Sequence, residues 1–223
     1  MKNKVVALLP MKEHSERVPN KNLKQMNGVP LFYHVLLELG KSEHIASIII
    51  NTDSQKIIDL CGVDFPDVVC NERPNEICGD FVEMNEIIKY DLSTTGEGHF
   101  LQTHSTNPLL REATISNAIE FYFENLASYD SVFSVNKLQT RLFNHNLYPL
   151  NHKKGEILRT QDLPIVYEEN SNFYIFSKSS FAIADNNRIG KNPYAYEMNK
   201  YESIDIDNID DFVFAEKLME GVI

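Results

Sequence analysis

An α/β fold built on a single doubly wound, mainly parallel sheet is predicted by three observations. Short apolar runs alternate with stretches of helical periodicity along the chain. The first run, residues 5–9, empties straight into a loop carrying Lys12, Ser15, Arg17, Lys21 and Asn22, which is where an open sheet receives anions. No linker, internal repeat or low-complexity tract divides the 223 residues, a length suited to one sizeable domain.

The elements follow in order from local chemistry. Residues 5–9 and 48–51 are apolar runs of strand length; 68–70, 99–102, 131–135, 172–176 and 203–205 are the further strand candidates, several rich in β-branched or aromatic residues. Between them, residues 30–39 have helical spacing with Pro30 suited to a first turn, and residues 54–60, 80–92, 112–126 and 208–219 continue the alternation. Residues 136–170 break the rhythm, being polar, containing Pro149 and Pro164, and lacking a helical period. A stretch of that length inside a compact domain is usually functional or pairs with something else. An extended or hairpin insertion that packs on a second subunit is expected, within a single domain covering residues 1–223.

The formal charge of −11 argues against a nucleic-acid binder, which would present a basic face to a polyanion. No apolar stretch approaches the roughly 18 residues of a membrane span, and the first apolar run is too short for a signal core. A cytoplasmic protein, with neither nucleic acid nor membrane as partner, is expected. Cys61, Cys70 and Cys78 are odd in number and too widely spaced for a CxxC pair, which favours reduced structural thiols over a thiolate metal site.

Two segments carry most of the chemistry. In the first loop, Lys12, Arg17 and Lys21 suit a triphosphate, while Ser15 and Asn22 offer hydrogen bonds; a solvated surface loop has the same composition. Neither GxxxxGK[ST] nor GxGxxG is present. Near the other end, Ser203-Ile204-Asp205-Ile206-Asp207 places two carboxylates at i and i+2, on one side of an extended chain and within reach of one hard cation. Alternatively, Asp207 or Asn208 caps the following helix. Three weaker features accompany them. Asp53 or Ser54 is placed to cap a helix. Arg73 could meet phosphate or pair with Glu72 or Glu76. Gln102 ends a strand where a base or sugar would be read. His104 has no Ser or Cys partner visible in the sequence, so a nucleophilic triad is not supported.

Taken together, these segments resemble the acylneuraminate cytidylyltransferase family, within the nucleotide-diphospho-sugar transferase-like fold. That family opens with PARxxSxRxPxKN, read here as Pro10-Met11-Lys12-Glu13-His14-Ser15-Glu16-Arg17-Val18-Pro19-Asn20-Lys21-Asn22. The similarity continues in order through Gly28-Val29-Pro30-Leu31, Asn51-Thr52-Asp53, Arg73-Pro74, Leu101-Gln102, Asn107-Pro108-Leu109 and the closing SIDID. The resemblance implies transfer of CMP from CTP to the anomeric hydroxyl of an α-keto acid sugar, with pyrophosphate released. By the same likeness Lys12, Ser15, Lys21, Asn22 and Arg73 would bind the nucleotide and Gln102 the sugar. Asp205 and Asp207 would hold Mg²⁺, with Lys21 and Asp207 as the catalytic candidates. The family also dimerises through an insertion, which implies a homodimer here, with Arg141 or Arg159 acting across the interface.

Two positions depart from the family. Lys12 stands where it has arginine, keeping the charge and losing the planar fork. Glu168-Glu169-Asn170-Ser171-Asn172-Phe173 stands where the sialic acid synthetases have an arginine and an RxNG-like turn. Two other readings share the sequence: a glycosyltransferase using Asp205-Ile206-Asp207 as a DxD site, and an inactive nucleotide-binding relative.

Overall fold

The computed structural model describes residues 3–221. Strand β1 (Val5–Met11) leads through a 3-10 turn (Lys21–Leu23) and a small antiparallel ribbon, β2 (Gln25–Met26) with β3 (Val29–Pro30), into helix α1 (Leu31–Lys41). The chain continues through β4 (Ile45–Thr52), α2 (Gln55–Asp64), β5 (Val69–Glu72), α3 (Met84–Ser93), β6 (His99–Thr103) and α4 (Glu112–Glu124). It ends with β7 (Ser131–Leu138), β8 (Val166–Ser177), α5 (Lys178–Ile183), β9 (Pro193–Glu197) and α6 (Ile209–Met219).

The seven long strands form one sheet in the order β5-β4-β1-β6-β8-β7-β9. All neighbouring pairs are parallel except those made by β8, which runs antiparallel to both β6 and β7. Because β1 pairs β4 on one side and β6 on the other, the winding reverses between β1 and β6. Loops leaving the carboxyl ends of those strands diverge there and open a crevice. Val5, Ala7 and Leu9 face a core shared with α1, α2 and α4, whereas Leu8 faces one shared with α3 and α5. That alternation is the period-2 signature of a strand buried on both faces. A third cluster fastens α6 through Phe212 and Ala215 to Met26, Leu31 and Ile206, which holds the C-terminal segment against the crevice.

Two expectations need correction. Residues 203–205 are not a strand: Ile206 N donates to Thr106 O at 2.9 Å, but no ladder forms. The seventh strand is β9 instead, a sheet edge whose opening proline is tolerated because edge N–H groups need no partner. Helix α3 starts at Met84 rather than residue 80, since Gly79 turns with φ +117° and residues 79–83 stay irregular. Residues 136–170 form a hairpin, one of the two forms expected: Val135–Leu138 pair with Val166–Glu169, and the 139–165 tip adds a Phe143–Pro149 bridge. Among the described residues no helix is long and apolar enough to cross a membrane.

Candidate functional site

A cleft of about 360 Å³ opens at the β1/β6 reversal. The β1 loop contributes Lys12, Ser15, Arg17, Lys21 and Asn22 to its lining, and the segment after β6 contributes His104, Ser105 and Thr106. Arg73 comes from the end of β5, Asp80 from the turn before α3, and Asp205 and Asp207 from the approach to α6. Eight residues picked out from sequence thus share one cavity: Lys12, Ser15, Arg17, Lys21, Asn22, Arg73, Asp205 and Asp207.

Internal hydrogen bonds shape the loop. Buried Asn22 donates to Lys12 O at 2.8 Å and accepts from Ser105 Oγ at 2.7 Å, so its amide ties the β1 loop to the β6 loop. Lys12 pairs with Asp80 on the rim. Lys21 reaches across the chain, its Nζ donating to Ile206 O at 2.5 Å. Burial pulls the Lys21 pKa down, and the carboxylates of Asp205 and Asp207 pull it part of the way back.

The carboxylate arm is held by the helix behind it. Asn208 caps α6, accepting from Asp210 N at 2.8 Å and Asp211 N at 3.1 Å, while Asp211 accepts from Asn208 N at 2.9 Å and Asp207 N at 3.0 Å. This capping box satisfies the helix end and leaves the Asp207 side chain to the cleft, where it pairs with Arg17 at 2.6 Å. Asp205 Oδ1 is buried with no hydrogen-bond partner among the described residues. Burial raises the Asp205 pKa, Thr106 lowers it, and Asp207 raises it further. A solvent-excluded carboxylate oxygen without a donor, beside a second carboxylate, fits a hard cation. On the outer rim, exposed His14, Glu16 and Asp80 bring one ligand atom each within 4.8 Å of one another, with Asp80 already paired to Lys12.

Behind the cleft lies a buried polar network. Arg73 donates through Nε to Asn51 Oδ1 at 2.7 Å and through an Nη to Asn51 O and Met11 O at 2.9 and 3.1 Å, rather than pairing with Glu72 or Glu76. Asn51 donates in turn to Asp91 at 2.7 Å, whose pKa burial pushes up to about 6. Gln102 sits behind the cavity rather than in its lining. Its Nε2 donates to Thr103 O at 2.8 Å and lies 3.1 Å from His104 Nε2, and its Oε1 accepts from Arg188 at 2.8 Å. Arg141 and Arg159 lie outside this cavity, in the hairpin tip: Arg141 donates to Leu158 O, and Arg159 forks onto Asp162 at 2.6 and 3.1 Å. Asp80 and Arg188 were missed from sequence. Neither belongs to a motif, and a strand-flanking arginine as far along the chain as Arg188 gives no local signal.

The description "Cytidylyltransferase" belongs to a family model that matches residues 6–221. The N-acylneuraminate cytidylyltransferase of Streptococcus agalactiae serotype V is 27% identical over 220 residues, covering 94% of this chain and 52% of that protein. The chain therefore spans about half the length of that relative. The CMP-N,N'-diacetyllegionaminic acid synthase of Legionella pneumophila is 27% identical over 233 residues, covering 97% of each chain. In fold, the chain resembles a CMP:2-keto-3-deoxy-manno-octonic acid synthetase solved with CTP, at a TM-score of 0.71 and 10% identity, covering 99% of this chain and 100% of that one. With the motif order, the crevice and the family match in agreement, the chain belongs to the cytidylyltransferase family.

Proposed function

We propose that this chain moves CMP from CTP to the anomeric hydroxyl of an α-keto acid sugar of the nonulosonic type and releases pyrophosphate. The observation that carries the reading is the meeting of Lys21 with the Asp205-Ile206-Asp207 arm across the cleft. One element supplies cations for phosphate, the other paired carboxylates, and both stand at the point where α/β sheets bind nucleotides. The acceptor class follows the acid sugars named for the two curated relatives.

In this reading Lys12, Arg17 and Lys21 neutralise the triphosphate and align it, and Ser15 adds a donor. The sugar hydroxyl attacks the α-phosphorus as the bond to the β-phosphate oxygen breaks, and Asp207 takes the hydroxyl proton. Asp205 and Asp207 would hold a divalent cation, Mg²⁺ in this proposal, which when bound offsets charge on the phosphates. Transfer yields a product weighing the acid sugar plus CMP less one water, with one pyrophosphate per turnover, when N-acetylneuraminic, legionaminic, pseudaminic or deoxyoctulosonic acid is offered with CTP. A free nucleoside diphosphate as the released product would assign a glycosyltransferase instead.

The reading includes a homodimer joined through the 136–170 hairpin. Leu147, Tyr148, Leu150 and Ile157 are 62–89% exposed there, an apolar surface unlike the polar rim of the cleft. Sedimentation in the micromolar range should give a dimer; a monomer throughout would remove this part of the proposal. Dependence on CTP and three free cysteines suit a reducing, nucleotide-rich compartment, the cytoplasm.

A further inference from the structure

We infer that Arg188, on the loop between α5 and β9, is the anchor for the acceptor's carboxylate; the inference rests on the cytidylyl-transfer reading and gives that site its acid selectivity. The guanidinium is only partly exposed, donates through Nη1 to Gln102 Oε1 at 2.8 Å, and stacks 3.8 Å over the Tyr174 ring. Among the described residues no carboxylate lies within ion-pair distance of it. After the Tyr174 phenol, the acidic group it feels is the Glu169 carboxylate, which accepts the Tyr174 hydroxyl instead. A desolvated cation without a counter-ion is unfavourable unless a ligand supplies the anion. Its planar fork keeps donors beyond the one given to Gln102, the arrangement that grips a carboxylate on two oxygens.

Position selects the acceptor over the nucleotide. Lys12, Arg17 and Lys21 stand on the β1 side of the cleft, whereas Arg188 meets Gln102 of β6 and Tyr174 of β8, on the opposite side of β6. Gln102 connects it to the cavity through His104, which burial, Arg188 and Lys21 keep neutral by pushing its pKa down to about 3.

The loop is built to hold the arginine still. Asp130 accepts from Lys191 N at 2.8 Å and Asn192 N at 3.0 Å, and Asn187 Oδ1 accepts from Ile189 N at 2.9 Å. Gly190 turns with φ +78° so close to Asp130 that an added Cβ would lie 2.3 Å from its Oδ1. A rigid mount of this kind preorganises a binding group and lowers the ordering cost on binding.

The test compares wild type with Arg188→Gln and Arg188→Lys, using whichever of the four acids turns over fastest and its carboxamide analogue. Arg188→Gln should raise the acceptor KM by about 30-fold or more, as expected for a lost charge-assisted pair, while the CTP Kd stays within about twofold of wild type. Wild type should reject the carboxamide by a similar factor, and Arg188→Gln should no longer distinguish the two. Arg188→Lys, which keeps the charge, should recover part of the loss, so a folding defect is separable from lost recognition. Undiminished discrimination by Arg188→Gln overturns the anchor even if pyrophosphate is released normally. Calorimetry with acid sugar alone separates this from the reaction itself: Arg188-dependent binding in a protein that never releases pyrophosphate keeps the anchor and sinks the transfer. Neither binding nor turnover sinks both.

Discussion

Asp205→Asn should lower pyrophosphate release by about a thousandfold, the scale seen when a group that stabilises transition-state charge is removed, without unfolding the protein. The substitution preserves shape and removes the charge of a carboxylate whose Oδ1 is buried and unpaired. Burial and neighbouring Asp207 already disfavour that charge, as the raised pKa shows. Its folded pKa stands above its unfolded value, so the charge weakens the fold at neutral pH, and neutralising it should hold or raise the thermal midpoint. A capping role would invert both results, with stability falling and turnover surviving. Because Asn208 and Asp211 already complete the α6 cap, loss of turnover with retained stability is expected. Initial rates across a Mg²⁺ titration, beside a thermal melt, decide it. Activity within about threefold of wild type would remove the metal site from the account.

Lys21→Met should weaken CTP binding by about 30-fold or more, the effect of removing one partner of a desolvated charge contact. The methionine keeps the packing of the aliphatic stem and removes the ammonium. Lys21 also bridges to Ile206 O, so its loss frees the carboxylate arm. The Lys21→Met and Asp205→Asn effects on turnover should then be less than additive, because each disturbs the same junction. Calorimetric titration of CTP checks the first part; unchanged affinity would return the β1 loop to an ordinary solvated surface.

The contrast between these two sites and Arg188 shows what was legible in the sequence. The parallel sheet could be read because its strands are buried on both faces and stand out as apolar runs, and the β1 loop because cations cluster directly after one. The 203–205 expectation failed instructively: Ile204 and Ile206 alternate with acids as a half-buried strand would, yet Ile206 simply plugs the α6 cluster. Strand β9 escaped because its Pro193 and the preceding Gly190-Lys191-Asn192 read as turn chemistry. Whether Asp207 or Asn208 capped α6 depended on hydrogen-bond geometry that spacing does not encode. Gln102 was picked out as a polar strand end, but its partner Arg188 lies 86 residues away in sequence. Only the antiparallel insertion of β8 beside β6 brings that loop to it.

The most direct measurement is pyrophosphate release from CTP, UTP, ATP and GTP in turn, each with Mg²⁺ and a mixture of the four acid sugars. The account expects release confined to CTP and dependent on the acid sugar. Release with all four nucleotides alike, or from CTP without any acceptor, would contradict cytidylyl transfer as the activity of this cleft.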